Sequence, residues 1–306
     1  MSKFERFHGL IAAPFTPMKA NGSLNLEAVK PYADLLVKQG IVGAFICGTT
    51  GEGFSMTLAE RKAVAEAWVA ASAGRLKIIV HVGHNCQADA AELAAHAQKC
   101  GAYAVASIAP NFYKPSCVED LVDFFAPVAA ASPELPFYYY NMPSMSGVSL
   151  PVDKFLELGS KKIPNLQGIK FTHNNLMEMN QCLNLEGGAF EILHGYDEIL
   201  ICGLALGATA GVGSTYNYAG GIYNALLAAF EAGDLKTARE MQQYSVEIVK
   251  VIIKYGGGVR GGKAIMNLLG IGCGECRLPM SRFTEDEYKS LKADLEAIDF
   301  FNRTGN

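Results

Sequence analysis

Short apolar runs alternate with amphipathic stretches along most of the chain. The runs at 9–13, 43–47, 77–82, 104–108, 136–140, 166–170, 191–194 and 208–212 have strand length and are bounded by turn residues. Between them, apolar residues recur at helical spacing through stretches such as 26–39, 57–71, 87–100 and 118–131. Strands alternating with helices imply a parallel sheet, and eight such runs within about 210 residues point to a closed (β/α)8 TIM barrel. The structural rival, an open doubly wound sheet, would normally carry a glycine-rich dinucleotide fingerprint after its first strand. Here Pro14-Phe15-Thr16-Pro17 stands in that place. Beyond about residue 217 the strand pattern stops, while helical periodicity continues through 219–232, 235–255, 262–269 and 285–301. The expected organisation is therefore a barrel over 1–216 with a C-terminal helical extension over 217–306 packed on it.

One position conflicts with this pattern. Lys170 ends the apolar run Leu166-Gln167-Gly168-Ile169-Lys170. A buried ammonium is costly, so a lysine held there tends to lose its proton and become a nucleophile able to form a Schiff base with a carbonyl. The alternative is an edge-strand or snorkelling lysine with its head in water. Strand parity puts Leu166, Gly168 and Lys170 on one face and Ile169 and Phe171 on the other. If the bulky pair packs on outer helices, Lys170 points into the barrel, with Gly168 leaving space beside it. The same parity pairs Tyr138 with Tyr140, and Tyr140 lies at the strand end, where a barrel gathers its chemistry. A tyrosine hydroxyl there can relay protons for a nearby amine, whereas Tyr138 and Tyr139 read as ordinary strand aromatics. The loop Gly48-Thr49-Thr50-Gly51 offers backbone N–H groups and two hydroxyls, a nest for a small carboxylate or else a helix-capping turn. It lacks the lysine and spacing of a phosphate-binding P-loop.

Composition narrows the class. Half of the 306 residues are hydrophobic and 18% are charged, with a net charge of −4, so nothing supplies a basic field for nucleic acid or anionic lipid. No apolar run is long enough to cross a bilayer, and the first seven residues lack the apolar stretch of a secretory signal, so a cytoplasmic protein without a membrane partner is expected. The eight cysteines, at 47, 86, 100, 117, 182, 202, 273 and 276, fit free thiols better than a disulfide scaffold. Cys273-Gly-Glu-Cys276 lacks the second ligand pair of a zinc site. His81 and His84, three apart, face opposite ways on a strand unless a turn intervenes, and no convergent carboxylate is visible in the pattern, so no metal is expected.

Taken together, Gly48-Thr49-Thr50-Gly51-Glu52, Tyr140-Asn141-Met142-Pro143 and Gly168-Ile169-Lys170 resemble the pyruvate-dependent class I aldolase superfamily that includes N-acetylneuraminate lyase and dihydrodipicolinate synthase. The resemblance covers nearly the whole chain. It implies that Lys170 forms the Schiff base with pyruvate, that Tyr140 is the acid/base tyrosine, and that Thr49 and Thr50 bind the pyruvate carboxylate or the tyrosine hydroxyl. It further implies no cofactor and a homotetramer in which Tyr113, from Asn111-Phe112-Tyr113-Lys114-Pro115, reaches a neighbouring site.

Within the superfamily the synthase pattern has an arginine two residues after the proline of Tyr-Asn-x-Pro, where this chain has Met145, which cannot pair with a second carboxylate. Met145, Thr172, Gly195-Tyr196-Asp197-Glu198 and Gly213-Ser214-Thr215 resemble the lyase branch. The resemblance thus implies a sialic acid as substrate and pyruvate as product, with Gly195, Asp197, Glu198 and Ser214 on the polyol tail and Thr172 beside the lysine. Val259 stands where some lyases carry an aromatic residue.

Overall fold

In the computed structural model, which describes residues 4–305, the alternating pattern closes into a parallel barrel. Residues 1–3, part of the N-terminal stretch read for a signal, and residue 306 lie outside the described residues. The strands are β1 (Gly9–Ala12), β2 (Gly43–Ile46), β3 (Lys77–His81), β4 (Ala104–Ile108), β5 (Phe137–Asn141), β6 (Leu166–Phe171), β7 (Glu191–His194) and β8 (Ala210–Gly213). Each pairs in parallel with its neighbours in sequence, and β8 closes on β1.

Two apolar layers follow from strand parity. Val105, Phe137, Tyr139, Ile169, Phe171 and Ile192 pack outward against the helices, whereas Ile11, Phe45, Ile79, Tyr138, Tyr140 and Leu193 fill the interior. The register sets Tyr140 beside Lys170 and Tyr138 beside Gly168. Lys170 is thereby on the inner face, as the alternation predicts. Gly168, however, leaves no vacancy beside the lysine. A Cβ there would stand 1.8 Å from the Glu191 carbonyl oxygen, so the glycine is required by the close approach of β7.

The interior is sealed at the N-terminal face by a polar network. Glu191 accepts hydrogen bonds from the Phe7 N–H at 2.5 Å and from the Tyr138 hydroxyl at 2.6 Å. Tyr138 is thus more than a strand aromatic. Burial pushes the Glu191 carboxyl above the ordinary carboxylate range, which the Tyr138 hydroxyl counteracts. Conversion of Tyr138 to Phe leaves a buried acceptor short of one partner, so a loss of about 1–3 kcal/mol is expected in denaturant unfolding, with catalysis at the opposite face little changed.

Helix Leu58–Ser72 starts at Thr57, whose side chain and that of Glu60 form a reciprocal capping box. The loop 48–51 is therefore not the helix cap and remains at the barrel mouth. Beyond β8 every described element is helical: Tyr216–Glu231, Leu235–Lys254, Gly257–Leu268, Glu285–Ala297 and Phe300–Thr304. The single helix expected over 285–301 is broken at Asp299, which adopts φ +56°. Gly256 and Gly257, at φ +89° and +83°, separate the second and third of these helices, and the third begins earlier than the apolar spacing predicts.

Candidate active site

The C-terminal strand ends open onto a cavity of about 320 Å³. It is lined by Thr49 and Thr50 after β2, Tyr140 and Met142 at the end of β5, Lys170 and Thr172 on and after β6, Gly195, Asp197 and Glu198 after β7, and Ser214 after β8. Five segments far apart in sequence thus contribute to one wall, because a parallel barrel delivers every strand's C-terminal end to the same face. Ile252, Ile253 and Val259 of the helical tail add an apolar side.

Lys170 is 5% exposed. Its Nζ stands 4.0 Å from the ring centroids of both Phe45 and Tyr140. Burial pulls its pKa from 10.5 down to about 7, the charge of Asp197 opposing the fall. The Tyr140 hydroxyl lies 3.3 Å from Thr49 Oγ1 and donates to Met142 Sδ at 2.9 Å. Burial pushes Tyr140 up to about 12, and the side chains of Thr49 and Thr172 oppose the rise. The group is therefore a protonated acid at rest, beside an amine that is partly neutral.

Asp197 is buried, and its Oδ2 accepts from the Thr215 N–H at 2.7 Å and the Thr215 hydroxyl at 2.6 Å. Burial lifts its pKa to about 6 despite those bonds. Gly213 permits the approach, since a Cβ there would sit 2.1 Å from Asp197 Oδ1. Among the described residues Lys170 is the sole Lys or Arg in the lining, which also holds Asp197 and Glu198.

Tyr113 is not brought to this cavity. It is 86% exposed on the loop after β4, its ring meeting that of Phe112 edge-on at 5.0 Å. Met145, 58% exposed, also lies outside the lining. His81 and His84 do not converge either: His81 is buried, bonded through Nδ1 to the Cys47 carbonyl and through Nε2 to the Ile108 N–H. Cys273 and Cys276 are buried free thiols, pushed up to about 12 by burial, which makes them poor nucleophiles.

Residues 6–298, almost the entire length, match the dihydrodipicolinate synthetase family. The chain belongs to that family. The N-acetylneuraminate lyase of Mus musculus is 42% identical over 97% of this chain and 94% of its own length, and that of Gallus gallus 41% identical over 97% and 98%. Among solved structures, the N-acetylneuraminate lyase of Proteus mirabilis superposes with a TM-score of 0.94 at 42% identity, covering 97% of this chain and 100% of its own.

Some determinants of this dihydrodipicolinate synthetase family site escaped the sequence pattern. Glu52 forms a buried ion pair with Lys263 at 2.7 Å, and its second oxygen accepts the Arg277 N–H at 2.8 Å. The loop carrying Thr49 and Thr50 is thereby clamped to the helical tail. Cys47 and Glu52, at φ +57° and +55°, hold left-handed conformations on either side of those threonines. The N–H groups of Glu52 and Gly53 are bonded to the Thr49 and Gly48 carbonyls, which closes the turn that carries the two threonines. Thr215, which orients Asp197, lies in the quoted segment after β8, but only its place beside Asp197 reveals that task.

Proposed function

We propose that this chain is a Schiff-base aldolase that reversibly cleaves N-acetylneuraminate to N-acetylmannosamine and pyruvate. The observation that carries the reading is Lys170, a buried amine pulled toward neutrality at the mouth of the barrel beside Tyr140. The lyases of mouse and chicken, similar over nearly the full length, support the same activity. In the proposed reaction neutral Lys170 attacks the C2 ketone and loses water to give an iminium. Tyr140, left as a phenolate once it has given its proton to the departing water, takes the proton of the C4 hydroxyl as the C3–C4 bond breaks, and the electron pair passes into the iminium to form an enamine. Protonation at C3 and hydrolysis release pyruvate and restore the amine.

The electrostatics favour a substrate with one carboxylate and a hydroxylated tail. The carboxylate would lie by Thr49 and Thr50, while Thr172, Gly195, Asp197, Glu198 and Ser214 would receive the polyol. A second carboxylate would meet Asp197 and Glu198 with no cationic partner other than Lys170. Purified protein should release pyruvate from N-acetylneuraminate; condensation of pyruvate with aspartate semialdehyde, with no cleavage of sialic acid, would refute the assignment. Conversion of Tyr140 to Phe should lower kcat by about 10²–10⁴-fold with a smaller effect on KM, read by steady-state pyruvate release.

We also propose a homotetramer in which the exposed Tyr113 of one chain completes the site of another, a state that light scattering would report. No helix among the described residues is long and apolar enough to cross a membrane, and a cytoplasmic location fits a reaction between small soluble molecules.

A further inference from the structure

We propose that the loop after β3 and the first turn of helix Gln87–Lys99 form a binding site for a borderline divalent cation such as Zn²⁺, with His84, Cys86 and Asp89 as ligands. One ligand atom from each residue lies within 4.8 Å of the other two. His84 Nδ1 and Asp89 Oδ2 are 3.3 Å apart. That separation is the edge of a tetrahedron whose metal–ligand bonds are about 2.0–2.1 Å, the lengths zinc makes to imidazole and carboxylate.

Local chain geometry builds the cluster. Cys86 is the N-cap of the helix and Asp89 lies in its first turn, three residues on, the relation that brings the two side chains together in a capping box. The Cys86 side chain makes no capping bond, unlike the threonine caps elsewhere in the chain. The Cys86 N–H donates to His84 Nδ1 at 3.0 Å, which places that nitrogen's lone pair, not a proton, in the cluster. A carboxylate oxygen 3.3 Å away then faces a second acceptor. A cation between the two relieves that opposition, taking the lone pair in exchange for the Cys86 N–H, which solvent can satisfy.

The donor set is chemically specific. Thiolate and imidazole select zinc, cobalt or copper over magnesium or calcium, and water fills the fourth position at this exposed loop. Binding deprotonates the Cys86 thiol and releases that proton to solvent. The site would also brace its surroundings. Asn85, between two ligands, accepts the N–H groups of Asn111 and Phe112 at 2.9 and 3.2 Å. A cation at 84, 86 and 89 thus anchors the loop that presents the Phe112–Tyr113 pair.

The test uses the full chain stripped with a chelator and titrated with cobalt(II) chloride. One equivalent should bind per chain, with a thiolate-to-cobalt charge-transfer band and release of a proton. Cys86→Ala should abolish the band. His84→Ala and Asp89→Asn should each raise the dissociation constant by about tenfold or more, the loss that even removal of an outer-shell partner causes. Cys202→Ala, outside the cluster, should leave the band intact, and all four variants should retain pyruvate release if the proposed aldolase activity holds. A wild-type titration without the band, or a band of equal strength in Cys86→Ala, overturns the site, and neither result depends on the aldolase reading.

Discussion

Lys170→Ala is expected to abolish pyruvate release, with a loss of at least about 10⁴-fold, because the proposed bond-forming nucleophile is removed. The magnitude follows from what burial does to this amine. An ordinary lysine, at 10.5, is neutral in about one molecule in 3,000 at pH 7, whereas one brought down to about 7 is neutral in roughly half. Desolvation therefore supplies about a thousandfold more nucleophile without help from a catalytic base. Borohydride reduction in the presence of pyruvate should leave a pyruvyl mass adduct on Lys170 of the wild type and none on the variant. Retained cleavage by Lys170→Ala would sink the mechanism.

The same shift has a signature in stability. Between pH 7 and 10.5 the unfolded chain binds a proton at this lysine that the folded chain does not, so folding stability rises with pH across that window. Below pH 7 the buried charge withholds about 4–5 kcal/mol. Lys170→Met should consequently melt above the wild type at pH 6, with the difference shrinking as the pH approaches 10. Activity of the wild type should climb through about pH 7 as the amine loses its proton.

Glu52→Ala should destabilise the protein by about 3–5 kcal/mol, since it leaves the Lys263 ammonium buried without its carboxylate. In a chain of this length the melting temperature should fall by on the order of 10 °C. Both side chains are at most 1% exposed, and Glu52 also holds the Arg277 N–H. Replacing the pair together, as Glu52→Gln with Lys263→Met, removes both charges and should recover most of the loss. Thermal melts of Glu52→Gln, of Lys263→Met and of the double variant form the double-mutant cycle that checks this. If the single variant melts within about 1 kcal/mol of the wild type, the clamp contributes little.

The legible part of the site is the part that strand periodicity reaches. Lys170 and Tyr140 could be turned inward by counting alternate residues, and both now face the same cavity. Asp197, Glu198 and Ser214 could be placed at strand ends because the barrel sends those ends to one face. Gly168 shows where counting stops: its parity is plain, yet its close approach to the Glu191 carbonyl depends on the path of the next strand. Tyr113 marks another limit, since within one chain its ring points to solvent. The His84–Cys86–Asp89 cluster is local in sequence, but its side chains meet at a helix cap, beyond the strand that carries His81, where period-two counting does not reach.

The sequence by itself determined the eight-strand alternation, the side of the barrel on which Lys170 lies, and the motifs that assign the family. Those depend on period-two and 3.6-residue spacing and on neighbours along the chain. Only the tertiary structure decided that Glu52 meets Lys263 across 211 residues, that Thr215 holds Asp197, and that burial brings Lys170 to about 7. Desolvation and ion pairing depend on which groups fill the surrounding volume, and that volume is assembled from distant segments only when the barrel closes.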